Sequence, residues 1–228
     1  MTLFWLLFLG TMALSLLAAA GVKRSYRKWS EVPAALGRTG AEVAHSILHR
    51  EGIHDVEVVP HDGMLSDHYD PIHKRLALSK ENYYGTSVAA LGVSAHEAGH
   101  AIQHARSYGW LHLRMTAVGL TEFASSWLLF LPMIGAAFAL IPWSAAAMLM
   151  GIGWGVMMLF NLITLPVEFD ASARAKRILA RDGYITGREI DGVSSVLNAA
   201  AWTYVAAFIT SLGYMLFHLA PFLTGQEE

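Results

Sequence analysis

Apolar positions fall into two patterns along the chain. Four long stretches, roughly 3–22, 123–143, 145–167 and 196–223, are nearly unbroken in their hydrophobicity. Each has about the 20 residues that a helix needs to cross a bilayer. The second and third meet at "LIPWSA", where Pro142 and Trp143 mark a tight interfacial turn, so this pair is expected to form a hairpin. Asn198 and His218 make the fourth stretch the weakest of the set.

Between the first and second stretches the pattern becomes short and periodic. "RTGAEVAHSILHREG" predicts a helix: Thr39 and Glu42 have capping-box spacing, Val43, Ile47 and Leu48 share a face, and Gly52 suits the end. "DVEVVP" and "KRLALS" have the β-branched or alternating character of short strands, with the turn-rich "HDGMLSDHYDP" between them. A long helix is expected over about 86–108, with Gly109 at its end. These elements divide the chain into an anchor (1–22), a small α+β part (23–116), a transmembrane hairpin (117–167), a helix beyond it (168–195), and a last transmembrane helix with its tail (196–228).

Composition agrees with a mainly α membrane protein. Of 228 residues, 54% are hydrophobic and 15% charged, with seven Trp, which is too apolar for an ordinary soluble domain. The 16 Lys and Arg lie in two segments only, between residues 23 and 114 and between 174 and 188. By the positive-inside rule both segments face the cytoplasm and both termini face out, with "KRSYRK" after the first stretch as the local anchor. A cleaved signal peptide is the competing reading of 1–22, because "LAAAG" resembles a small-residue cleavage site. Against it, the basic residues follow the apolar run, and cleavage would leave them on the wrong side. There is no cysteine, so any metal must be held by His, Asp or Glu. The formal charge of −2, without a long basic block, argues against a nucleic-acid partner.

The candidate chemistry sits in "VSAHEAGHAIQHA", residues 93–105. On a helix His96 and His100 lie one turn apart on one face and can reach a single ion, while Glu97 points aside, toward a water on that ion. The plain alternative is a polar turn of an ordinary helix. The apolar "VAALGV" before it and small Gly99 within it suit a buried helix, where unpaired polar groups would be costly. His104 stands eight residues from His96, about 12 Å along the axis, too far for zinc–nitrogen bonds of about 2 Å, so it is given no metal role. Three carboxylates compete for the third ligand. Glu122 follows His100 at a spacing open to soluble glutamate zincins. Asp170 ends "NLITLPVEFD", which loosely resembles an element of site-2 intramembrane proteases. Glu168 comes where the third stretch re-enters the cytoplasmic interface, on the side of the long helix, and this topology favours it.

Two segments together, "DHYDPIHKRLALSKENYYGTSVAALGVSAHEAGHAIQHA" and "LPVEFDASARAKRIL", resemble the YugP-like family of membrane-bound neutral zinc metallopeptidases. That family is similar in plan to the HtpX-like and CAAX prenyl proteases. The resemblance implies a zincin-like cytoplasmic part carrying the HExxH helix, a gluzincin-type Zn2+ site of His96, His100 and Glu168, and Glu97 as catalytic base. It also implies a prokaryotic plasma membrane, a lipid bilayer around the helices, and a peptide or protein substrate, membrane proteins included. One position departs from the pattern: Ser172 stands where the HtpX-type segment has Asp, leaving the carboxylate that orients a metal-bound histidine unassigned. Tyr69, His68 and Tyr83 are candidate oxyanion donors, and the edge of "KRLALS" could receive an extended peptide. A site-2-like intramembrane protease and a non-catalytic zinc-binding membrane scaffold are the rival readings. The first would need the HExxH inside a span, and the second has no need of Glu97.

Overall fold

The capping box expected at residue 39 forms as read. The Thr39 hydroxyl accepts from the Glu42 amide, Glu42 accepts from the Thr39 amide at 2.8 Å, and helix α2 runs over Gly40–Arg50. Gly52 follows in the left-handed conformation that favours glycine, at φ +74°. These elements belong to a computed structural model in which residues 2–223 are described; the expected tail, 224–228, lies outside the described residues.

The described residues are mostly helical, with one small sheet. Helix α1 covers Thr2–Ser30, running past its apolar stretch because nothing interrupts it before Pro33, and Arg27 and Lys28 complement the negative pole of its last turn. After α2 come β1 (Glu57–His61), β2 (His68–Asp70) and β3 (Arg75–Ser79), then the short helix α3 (Lys80–Tyr83). Helix α4 (Val88–Ala105) carries the histidines. Helices α5 (Gly109–Phe123) and α6 (Leu131–Ala137) are separated by one π-type stretch at Ala124–Leu128, and α7 (Trp143–Arg181) and α8 (Arg188–Leu223) complete the chain. Among the described residues four segments, Thr2–Ser30, Gly109–Ala137, Trp143–Arg181 and Arg188–Leu223, are long and apolar enough to cross a membrane, and α4 is not one of them.

Four expectations need correction. The "HDGMLSDHYDP" connection is not wholly turn: it holds β2, which pairs antiparallel with β3, while β1 pairs parallel on the other side. The order β1-β3-β2 therefore places β3 in the middle, and "KRLALS" has no free edge to offer a peptide. The long helix also ends earlier than 108. Ser107 takes the left-handed position at φ 51°, the Tyr108 amide donates to the Gln103 carbonyl, and the Ser107 amide donates to that of His104. This is a Schellman closure with serine where glycine is usual, so Gly109 opens α5 instead of closing α4. Finally, the second apolar segment starts at Gly109, not near residue 123, which puts Glu122 well inside it.

The chain forms two compact units. One gathers Ala19–His112 and Pro166–Trp202. Its core is built from Val43, Ile47 and Leu48 of α2, Leu76 and Leu78 of β3, and Val88, Leu91 and Ile102 of α4, with Ile178 and Leu179 of α7. Each such Leu or Ile stabilises by roughly 1.5–3 kcal/mol on burial. Asp67 pins the loop before β2, accepting from the Ser79 amide at 2.8 Å and from the Asn82 side chain at 2.9 Å. The other unit gathers Met1–Ala18, Leu113–Leu165 and Thr203–Glu228. There Asn161 of α7 donates to the Ala207 carbonyl and to Ser211 of α8, and Trp154 stacks on Tyr214 with ring centres 4.7 Å apart.

Candidate metal centre

Helix α4 opens on Ser87, whose hydroxyl accepts from the Ala90 amide. Its first two turns are almost entirely small and buried, which lets the rest of the helix lie inside the unit. Such burial is costly for the polar residues that follow unless they find partners. They find one another. His96 and His100 bring their Nε2 atoms to 3.2 Å, as the four-residue spacing requires. Glu168 of α7, 3% exposed, places Oε2 at 3.3 Å from His96 Nε2 and 3.6 Å from His100 Nε2.

Close approach at this point depends on Gly99. A Cβ there would lie 2.9 Å from the Ala171 carbonyl oxygen and 3.3 Å from the Ala171 Cα. Any side chain would therefore push α7 away from α4. The outer nitrogens of the two imidazoles are also occupied. His96 Nδ1 meets the Ser172 hydroxyl at 3.1 Å, and His100 Nδ1 meets Gln103 Oε1 at 3.0 Å.

Three donor atoms aimed at one another within 3.6 Å could hold a cation between them. Burial opposes charge on each group, yet the pairing prevails. Burial works to lower His100, and Glu168 raises it. The donor set and spacing fit zinc. With bonds of about 2.1 Å, the ligand atoms of a tetrahedral site lie about 3.4 Å apart. The three separations here are 3.2, 3.3 and 3.6 Å. Glu97, beside them and 7% exposed, has its carboxyl pushed up by burial.

The grouped donors are thus His96, His100 and Glu168, and the group includes neither Glu122 nor Asp170. Glu122 is exposed and belongs to the other compact unit. Asp170 instead accepts from Gln103 Nε2 at 2.9 Å and pairs with Arg174 at 2.6 Å. His104 bonds through Nδ1 to the Tyr69 hydroxyl at 2.9 Å, and burial pushes that phenol up to about 12. His68 is exposed and bonds to the Ser66 carbonyl, while Tyr83 packs on Tyr84. Sequence reasoning missed Gln103. Its position three residues after His100, on the same helix face, was the available signal.

Comparison with known proteins points the same way. Residues 4–222 match a family described as "Putative neutral zinc metallopeptidase". The chain is 44% identical, over 99% of its own length and 99% of the relative's, to "Putative membrane protease YugP" of Bacillus subtilis (strain 168). No solved structure matches.

Proposed function

This chain belongs to the neutral zinc metallopeptidase family, and from that premise we propose a membrane-embedded zinc metalloendopeptidase that cuts peptide bonds at the cytoplasmic membrane face. The observation that carries the reading is the meeting of His96 and His100 from α4 with Glu168 from α7, at the separations of a tetrahedral zinc site, with Glu97 buried beside them. The first three are the zinc ligands and Glu97 is the general base, the gluzincin arrangement on a zincin-like frame.

When bound, zinc supplies a Lewis acid that acidifies water and polarises a carbonyl. Glu97 takes the proton of the attacking water and passes it to the leaving amine. Its burial, by raising the carboxyl above the ordinary range, makes it the better proton acceptor for that work. Ser172 and Gln103 hold the two imidazoles in place from behind. With β3 paired on both sides, an extended substrate adds at β2, the outer strand that Tyr69 ties to α4 through His104. Main-chain pairing of that kind favours loose specificity.

The four apolar segments cross the membrane in this reading, and the two segments holding every Lys and Arg face the cytoplasm. The relative's printed name, a membrane protease of a bacterium, supports a prokaryotic plasma membrane.

Purified full-length protein tests the assignment. Glu97→Gln is expected to abolish cleavage of casein or a peptide while keeping wild-type zinc content. Glu168→Ala is expected to lose zinc and activity together, and Asp170→Ala to retain much of its metal at high zinc. Undiminished cleavage by Glu97→Gln would sink the enzyme assignment. Loss of zinc from Asp170→Ala but not from Glu168→Ala would hand the site to the site-2-like reading.

A further inference from the structure

Gln103 is fully buried, and its amide has three partners. Its Nε2 donates to the Val167 carbonyl at 2.8 Å and to Asp170 Oδ2 at 2.9 Å. Its Oε1 stands 3.0 Å from His100 Nδ1. The two partners of Nε2 are a carbonyl and a carboxylate, which only accept. They spend both amide hydrogens and leave the amide a single orientation, with its oxygen toward the imidazole. An amide oxygen cannot donate, so His100 Nδ1 must carry the hydrogen. A neutral imidazole has only one, and Nε2 is then a bare lone pair facing His96 and Glu168.

We propose that Gln103 and Asp170 form a positioning relay that sets His100 in the Nδ1–H tautomer before any metal arrives. Asp170 acts at two removes: it holds the Gln103 amide, and the amide holds the ring. Arg174 anchors the far side of the relay, its Nε 2.6 Å from the same Asp170 oxygen. His96 is treated differently. Its Nδ1 faces the Ser172 hydroxyl, which can turn to donate or accept. One ligand is therefore fixed in advance and the other adjusts, and the relay does this without touching the metal.

The inference rests on the zinc-ligand reading above, but its first readout needs no metal. In the metal-free full-length protein, nitrogen-15 NMR of the imidazoles, taken at a pH high enough that His100 is neutral, is expected to show it as the Nδ1–H tautomer. Gln103→Leu is expected to release it toward Nε2–H. Zinc affinity, measured by competition with a chelator, should then fall about 10–100-fold, as for other residues that orient a metal ligand. Asp170→Ala should lower affinity less, since Val167 still holds one amide hydrogen.

A charge exchange separates positioning from mere packing. Gln103→Glu alone faces Asp170 with a like charge and should weaken binding. Adding Asp170→Asn replaces the like charge with an amide donor to the new carboxylate, keeps an acceptor at His100 Nδ1, and should recover affinity with the Nδ1–H tautomer retained. An Nε2–H tautomer in wild type, or a Gln103→Leu protein with wild-type tautomer and affinity, overturns the relay. So does a double variant no better than Gln103→Glu. Failure of the wild-type protein to bind zinc would instead overturn the ligand reading, and the metal-free tautomer would still decide the relay.

Discussion

Gly99→Ala is a small substitution with a specific expected result. The new Cβ would lie 2.9 Å from the Ala171 carbonyl oxygen, a backbone atom that cannot swing aside. Carbon–oxygen contacts settle at about 3.3–3.6 Å, so α4 and α7 must part locally by about 0.5 Å. Overpacking of this kind costs roughly 1–3 kcal/mol. Alanine returns about 1 kcal/mol through its higher helix propensity than glycine, so the net loss of stability is about 0–2 kcal/mol. The site has no such offset. Glu168 lies on α7, three residues before Ala171, whereas both histidines lie on α4. Ligand distances are held to about 0.2 Å in a working metal site, and a half-ångström parting exceeds that. Zinc affinity is therefore expected to fall by at least tenfold while the metal-free protein loses at most about 2 kcal/mol of stability. The assay is chelator competition beside denaturant unfolding of the same sample. Wild-type affinity with wild-type stability would refute the argument, because it would mean that Gly99 does not set the spacing of the two helices.

Other outcomes follow from single features. Thr39→Ala removes the side-chain cap of α2 and should destabilise by about 1 kcal/mol, read as faster amide exchange over residues 40–50, with cleavage per folded molecule unchanged. Asn161→Leu removes the donor to Ala207 and Ser211 and should cost about 0.6 kcal/mol of helix association in detergent or bilayer unfolding, a small value because the unfolded segment also finds partners. Cysteines placed near Arg38 or Arg181 should resist an impermeant thiol reagent in intact cells, whereas one at Gln226 should react. The reverse pattern would place the site outside.

What could be read from the sequence was local. Thr39 and Glu42 complete their capping box within four residues, so their spacing alone announced α2. His96 and His100 were placed by helical periodicity, which depends on nothing distant. Glu168 could be brought near them only by following the chain through a hairpin, an argument from topology that left Glu122 and Asp170 in contention. Strand β2 went unread because three residues, His68–Asp70, have no pattern of their own and are strand only where β3 pairs with them. Gln103 was only half legible for a related reason: its place one turn from His100 was in the sequence, but Val167 and Asp170, which orient it, lie 64 and 67 residues away. Ser107 was missed because it takes a backbone conformation in which glycine is the residue usually sought.

Helix α7 presents Val167, Glu168, Asp170 and Ser172 within six consecutive residues, and each of them meets a polar side chain of α4. Each residue advances an α-helix by about 100°. A single residue added or lost between Val167 and Ser172 would therefore turn part of this set away from the rest, so the stretch can change its side chains one at a time but not its length.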